Sequence, residues 1–224
     1  MQHSSNAAKR VGEVARAVCS TAPAAVSTCT GGFASLHGRT ALVTGVTDGS
    51  MGHGIALALA RQGCAVACVD VASHQESLRR ACDSITSSTG STTLALTADC
   101  TDRPELAAAF AEATAQLGSL RIVVAAVGGM GYTGGRGAGE EVKDASSFVA
   151  ANLSGGFADI VQTTQFATYH TCQLAAQTMI KQGAGGRIIV IGSVMSDMGR
   201  PGSAACAPLF DFAAYPPAVC NAYR

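Results

Sequence analysis

Short apolar runs alternate with helix-like segments from residue 39 onward. Each run is rich in β-branched residues and ends at a glycine or a polar side chain, which is typical of a buried strand. The segments between the runs carry apolar residues at helical spacing, and Glu105 to Leu117, ended by Gly118, is the strongest of them. The predicted strands are 40–44, 65–70, 92–98, 121–127 and 187–191, and the predicted helices are 53–62, 75–86, 105–117, 144–153 and 166–182.

This alternation predicts an α/β fold, because a strand, a helix and a second strand form a right-handed parallel crossover. We predict one doubly wound parallel sheet over residues 39–205, in the strand order 3-2-1-4-5, with helices on both faces. The glycine-rich stretch 128–139 is predicted to be a loop. Ligands of such sheets bind at the carboxyl ends of the strands. The residues that fall there are Gly45, Asp70, Asp99, Gly128 and Ser193.

The turn after the first predicted strand is rich in glycine, since Thr44 to Ala56 reads TGVTDGSMGHGIA. Glycine lets the backbone turn sharply and approach a pyrophosphate, and the N-terminus of the next helix offers N–H groups. Asp70 ends the second strand at a spacing close to that of a carboxylate that holds an adenosine ribose. The pattern predicts a dinucleotide site. The alternative is a tight turn that binds no ligand.

Residues 1–38 differ in composition from the rest of the chain. They are rich in Ala, Ser and Thr, carry Glu13 as their single acid, and place apolar residues at helical spacing from Val11 to Val18. Two interpretations stay open, an organellar transit peptide, for example mitochondrial, and an N-terminal extension that carries no address. In the second case we expect a cytoplasmic protein.

Charge and cysteine usage narrow the class of protein. Fifteen basic residues match fifteen acidic ones, which argues against a nucleic-acid partner. No apolar run approaches the ~18 residues of a membrane span. The nine cysteines are scattered without a C-x-x-C pair, so we expect reduced thiols in an intracellular compartment, with neither disulfides nor a metal site.

These motifs resemble those of the short-chain dehydrogenase/reductase family over roughly residues 38–205. The turn is similar to the family's T-G-x-x-x-G-x-G motif, with one residue more, and the resemblance implies a Rossmann-like domain with a nicotinamide cofactor. It also implies that Asp70 is the ribose-binding acid. The other implied cofactor contacts are Gly45, Gly49, Ser50, Met51, Gly52, Asp99, Cys100, Ala126 and Gly128.

The resemblance is weaker in the residues that carry the family's chemistry. Asn152 and Ser193 match its helix asparagine and its catalytic serine. The family's tyrosine and lysine, spaced Y-x-x-x-K, pass a proton while hydride moves. This sequence contains no Y-x-x-x-K; Tyr223 looks like the start of one, and Cys206 stands where the tyrosine is expected. We therefore expect impaired catalysis.

Two segments, 154–165 and 206–220, look inserted into the family pattern. We expect a truncated or mis-spliced product whose C-terminal strands are missing and whose residues 206–224 form an irregular tail.

The function implied by the resemblance is NAD(P)-dependent oxidation or reduction of a small alcohol or carbonyl compound. NAD is expected over NADP, because Asp70 repels a 2′-phosphate and Val46 and Val71 add no basic group. The complete protein is expected to be a homo-oligomer without membrane or nucleic-acid partners. The alternatives are a non-catalytic protein that binds a dinucleotide or a partner, and a chain that does not fold stably.

Overall fold

The computed structural model describes residues 35–128 and 158–192. The strands are β1 (Thr40–Thr44), β2 (Ala65–Asp70), β3 (Thr93–Thr97), β4 (Leu120–Ala125) and β5 (Arg187–Val190). The helices are α1 (Met51–Arg61), α2 (Gln75–Thr89), α3 (Arg103–Leu117), α4 (Ala158–Val161) and α5 (Ala167–Gln182). A 3-10 turn covers Ala72–His74, and a π-helical turn covers Gln162–Phe166. The helix predicted at 144–153 lies outside the described residues.

The five strands form one parallel sheet in the order β3-β2-β1-β4-β5, which confirms the predicted topology. The central strand β1 is buried along its whole length. Val43 lies beside Cys68 of β2 on one side and Val124 of β4 on the other. Because all strands point the same way, their carboxyl ends share one edge, which we name the carboxyl edge. The opposite edge is named the amino edge.

Alternate residues of β1 face two separate apolar layers. Leu42 packs in the layer formed with α3 and α5. Ala41 and Val43 pack in the layer formed with α1 and α2. Burying a side chain the size of Leu42 contributes about 1.5–3 kcal/mol, so a helix on each face is what holds the sheet.

Capping explains where two helices begin earlier than predicted. The Ser50 hydroxyl accepts the His53 N–H and starts α1 at Met51, whereas apolar periodicity placed the start at residue 53. Asp102 accepts the Glu105 N–H in the same way and starts α3 at Arg103. A capping residue is polar and does not contribute to the periodic pattern of apolar residues. The apolar pattern alone therefore placed both helix starts too late.

The helical segment before β5 starts earlier than residue 166, so that predicted boundary is wrong. Residues from Ala158 are already helical, and the π-helical turn joins α4 to α5. The hydroxyls of Thr163 and Thr164 donate to the carbonyls of Asp159 and Ile160 within the helical segment. Part of the stretch 154–165 that looked inserted is therefore helix.

Ordered contacts begin before residue 39. The Leu36 N–H donates to the Gln62 carbonyl at 3.0 Å, and the Leu36 side chain packs against the apolar layer of α1 and α2. The predicted domain boundaries at residues 38 and 205 stay predictions. A membrane span requires a long apolar helix, and none of the helices in residues 35–128 and 158–192 has that length and composition.

Candidate functional site

The glycine-rich turn brings the ends of β1 and β4 into close contact. Gly45 has a φ of 76°, and a Cβ placed on it would lie 2.7 Å from the carbonyl oxygen of Ala126. A Cβ on Gly52 would lie 2.3 Å from the carbonyl oxygen of Gly45. Both distances are shorter than any side chain tolerates, so this packing requires glycine at both positions.

The rest of the turn is held by its own hydrogen bonds. The Ser50 hydroxyl accepts the N–H groups of Thr47 and His53 and donates to the Gly45 carbonyl. Gly49, also at a φ of 76°, donates its N–H to Nδ1 of His53 at 3.1 Å. The additional residue of this turn is thereby accommodated without disordering the start of α1.

The first turn of α1 keeps two donors. No described residue accepts a hydrogen bond from the N–H of Met51 or Gly52. The first N–H groups of a helix have no intrahelical partner, and the helix dipole adds partial positive charge there. This end of α1 can therefore hold an anion.

A second anchor of the turn is Asp48, which connects it to α2. The Asp48 N–H donates to the Ser77 hydroxyl at 3.0 Å, and its carboxylate lies 3.8 Å from Arg80 and 3.5 Å from His53. Neither His53 nor Arg80 was singled out from the sequence, because a half-buried histidine and an exposed arginine on helices give no functional pattern. Both contact Asp48, which connects the turn to α2.

Asp70 ends β2, directly beside β1 at the carboxyl edge. Its Oδ1 accepts the Val71 N–H at 2.8 Å and lies 2.8 Å from Nδ1 of His74. No described residue donates to its Oδ2. His74 was missed in the sequence, where the only signal was the D-x-x-x-H spacing.

Asp99 and Cys100 follow β3, and their side chains already have protein partners. Oδ1 of Asp99 accepts the N–H and the hydroxyl of Thr101, and the Asp99 N–H donates to Glu105. Cys100 lies in the apolar core, and burial, with smaller effects from Asp70 and Asp99, raises the pKa of its thiol to about 12. Their predicted cofactor contact stays a prediction, and for Cys100 only the backbone is suited to it.

Thr44 is a further residue at this edge that the sequence did not single out. Its buried hydroxyl donates to the Val124 carbonyl and accepts the Ala126 N–H, which stabilises β1 against the end of β4. Gly128 is exposed, and a Cβ on it would lie 3.8 Å from the Thr164 methyl group. Gly128 therefore lies beside the π-helical turn.

The three predicted catalytic residues, Asn152, Ser193 and Tyr223, lie outside the described residues. The described chain after β5 ends at Gly192, which precedes Ser193 in the sequence. The Ile191 N–H donates to the Ala125 carbonyl, so the chain leaves β5 at the carboxyl edge.

A concavity of about 370 Å³ lies at the amino edge of the sheet. Its lining includes His37, Arg39, Gly63, Gly90 and Leu117. It is formed where the helices end rather than begin, so it lacks the N–H donors of the carboxyl edge.

Glycine turn, helix N-terminus and strand-end carboxylate together suit a dinucleotide. The glycines allow close backbone approach, the N–H groups of Met51 and Gly52 can hold a phosphate, and Oδ2 of Asp70 can accept from a ribose hydroxyl. The residues therefore fit the adenosine and pyrophosphate portions of a nicotinamide dinucleotide.

Comparison with known proteins agrees with this arrangement. The family model for short chain dehydrogenases matches residues 39–207. A 2-dehydro-3-deoxy-D-gluconate 5-dehydrogenase of Dickeya dadantii is 30% identical over 165 residues, which are 74% of this chain and 57% of that protein. The chain thus spans a little over half the length of the curated relatives with this name.

Solved structures extend the similarity to the fold. A dehydrogenase/reductase from Sinorhizobium meliloti 1021 is 27% identical with a TM-score of 0.66, over 80% of this chain and 64% of its own. A short chain dehydrogenase from Mycobacterium smegmatis has a TM-score of 0.69 at 18% identity, over 80% of this chain and 68% of its own, which shows the fold alone.

Proposed function

Because this chain belongs to the short-chain dehydrogenase/reductase family of oxidoreductases, we propose that it binds NAD at the carboxyl edge and acts on a small alcohol or carbonyl compound. The observation that carries this proposal is the meeting of Gly45, Asp70 and Ala126 at one edge of the sheet. The family's cofactor, NAD or NADP, exchanges hydride with the substrate when it is bound.

The pyrophosphate is assigned to the start of α1. The N–H groups of Met51 and Gly52 are available there, and Gly45, Gly49 and Ser50 form the turn in front of them. The helix dipole favours the negative charge of the pyrophosphate.

The adenosine ribose is assigned to Asp70, whose Oδ2 accepts from a hydroxyl. A carboxylate beside the 2′ position disfavours a 2′-phosphate, and Val46 and Val71 contribute no charge, which supports NAD over NADP. The adenine is assigned to the backbone at Asp99 and Cys100. The nicotinamide side of the cofactor is assigned to the loop containing Ala126 and Gly128.

Catalysis itself is assigned to Ser193, Asn152 and Tyr223, with Ser193 holding the substrate oxygen. Since the sequence contains no Y-x-x-x-K, proton transfer lacks the lysine that lowers a tyrosine pKa in this family. General acid–base catalysis contributes about 10²–10⁴-fold, so we expect reduced turnover from a polypeptide that contains only these 224 residues. The same observation favours a second candidate, a non-catalytic protein that binds a dinucleotide or a partner.

Two measurements test the proposal. Fluorescence titration of the chain with NADH is expected to show saturable binding that Asp70→Ala weakens, whereas Asp83→Ala on the exposed face of α2 leaves it unchanged. Turnover is then measured on a panel of sugar acids and polyols that includes 2-dehydro-3-deoxy-D-gluconate. Turnover abolished by Ser193→Ala favours the enzyme, and binding without turnover favours the second candidate. Failure of a cooperatively folded chain to bind millimolar NADH would refute the proposed NAD site and the dinucleotide-binding form of the second candidate.

Three further predictions concern the location, the oligomeric state and the domain bounds of the protein. We also propose an intracellular location, a homo-oligomeric complete protein and domain bounds of 39–205. Cell fractionation, size-exclusion chromatography and limited proteolysis test these three proposals in turn.

A further inference from the structure

His74 lies beside the carboxylate assigned to the ribose, on a short and well-defined piece of backbone. Val71 leaves β2 in an extended conformation, and the His74 N–H donates to the Val71 carbonyl at 2.9 Å, closing the 3-10 turn. Gln75 then begins α2. His74 is therefore fixed between a buried strand and a helix rather than carried on a long loop.

The hydrogen bonds of Asp70 are unevenly shared between its two oxygens. Oδ1 takes both protein partners, the Val71 N–H and the imidazole Nδ1, each at 2.8 Å. An ionised carboxylate only accepts hydrogen bonds, so the imidazole carries its proton on Nδ1. Oδ2 receives no donor from the described residues.

Exposure separates the roles of the two side chains. Asp70 is 11% exposed and His74 is 55% exposed. The carboxylate is thus largely enclosed and its orientation depends on its donors, whereas the imidazole covers it from the solvent side. Removing the imidazole leaves the Val71 N–H as the only described donor to Oδ1, and the carboxylate can then rotate.

We infer that His74 is a positioning residue that holds Oδ1 of Asp70 so that Oδ2 faces the 2′-hydroxyl of a bound adenosine ribose. The inference rests on the proposed assignment of the ribose to Asp70. It assigns specificity for the 2′ substituent to a pair of residues, where the sequence had assigned it to the carboxylate alone.

The test compares ligands that differ only at the 2′ position. Binding of NADH, 2′-deoxy-NADH and NADPH is measured for the full chain and for His74→Ala and His74→Gln. In His74→Ala the Kd for NADH is expected to rise about three- to tenfold, the equivalent of one ordinary hydrogen bond. The Kd for 2′-deoxy-NADH is expected to stay within about twofold, because that ligand has no hydroxyl to position.

His74→Gln separates positioning from charge. A glutamine amide can donate to Oδ1 as the imidazole does but carries no charge, so it is expected to restore the preference for NADH over 2′-deoxy-NADH. His37→Ala, at the amino edge, is the matched histidine control and is expected to leave all three affinities unchanged. In an Asp70→Ala background, His74→Ala is expected to have no further effect.

Several outcomes would overturn the inference. Equal loss of NADH and 2′-deoxy-NADH in His74→Ala would indicate a purely structural role, and a loss confined to NADPH would indicate a charge role. An unchanged preference would show that Asp70 needs no second residue. Failure of the unmodified chain to bind any of the three ligands would refute the proposed function, and the inference with it.

Discussion

The carboxyl and amino edges of the sheet carry the same kinds of groups, namely glycines, hydroxyl side chains and helix ends. At the amino edge, hydroxyl groups form hydrogen bonds with other groups of the protein. The Thr40 hydroxyl donates to the Leu117 carbonyl at 2.7 Å, and the Ser91 hydroxyl donates to the Ala60 carbonyl at 2.8 Å. Hydroxyl groups at the amino edge therefore donate to carbonyl groups in the last turns of helices.

At the carboxyl edge, donors and acceptors stay available after the protein's own bonds are made. The N–H groups of Met51 and Gly52 and Oδ2 of Asp70 have no partner among the described residues. The amino edge has the concavity of about 370 Å³, yet the carboxyl edge has the unused polar groups. The proposed cofactor site therefore rests on unused hydrogen-bonding groups and not on cavity volume.

The largest expected effect comes from adding one methyl group to the tightly packed glycine-rich turn at the carboxyl edge. In Gly52→Ala the new Cβ would meet the Gly45 carbonyl oxygen at 2.3 Å, so the backbone must move. Overpacking of this kind costs about 1–3 kcal/mol of unfolding free energy. NADH affinity is expected to fall by about tenfold or more, because the displaced turn misplaces the N–H donors. Chemical denaturation and NADH titration measure the two effects.

Gly54→Ala is the matched control, because a Cβ there would meet nothing within 4 Å. Replacing glycine by alanine in an exposed helix is expected to stabilise the chain by about 0.5–1 kcal/mol and leave NADH affinity unchanged. Equal behaviour of the two variants would contradict the close packing on which the carboxyl edge depends.

The second largest effect on cofactor affinity is expected from the Asp70 carboxylate, which is the hydrogen-bond acceptor at the carboxyl edge. Asp70→Asn keeps the shape of the side chain but removes its charge. NADH affinity is expected to fall about tenfold, in line with the loss of a charge-assisted hydrogen bond, while NADPH loses less because the repulsion of its phosphate is also removed. Titration with both cofactors gives the ratio. An unchanged ratio would show that Asp70 does not face the 2′ position.

The strand order and the position of Asp70 could be predicted because both follow from short-range patterns. Apolar runs gave the strands, and a polar residue at the end of each run necessarily lies at the shared edge of a parallel sheet. That reasoning placed Gly45 and Asp70 together without any contact information.

The contacts within the edge could not be predicted, because they depend on side-chain direction. Whether Cys100 faces the core or the ligand is decided by the local backbone after β3, and it faces the core. His74 reaches Asp70 across a 3-10 turn, which has no apolar period. The π-helical turn similarly interrupts the helical period before α5 and hides the start of that helical segment.

A smaller effect is expected at the amino edge. Thr40→Val keeps the side-chain shape and removes the hydrogen bond to the Leu117 carbonyl, which should cost about 1 kcal/mol of unfolding free energy. NADH affinity should not change, since the bond lies at the opposite end of β1. A parallel loss of NADH affinity would show that the two edges are coupled, and the contrast between them would then fail.

The smallest contribution to ligand binding is expected from the side chain of Cys100, which lies at the carboxyl edge but belongs to the core. Burial raises the pKa of its thiol to about 12, and the thiolate is the form that reacts. At pH 8 only about one thiol in 10⁴ is ionised, so alkylation by iodoacetamide should be about a thousandfold slower than in the unfolded chain. Because the pH stays below the pKa, the labelling rate should rise about tenfold for each pH unit between 8 and 10.

Peptide mapping by mass spectrometry follows Cys100 separately from the other cysteines, with labelling in guanidinium as the reference. Native labelling within tenfold of that reference would place the thiol at the surface of the site, where it could contact a ligand.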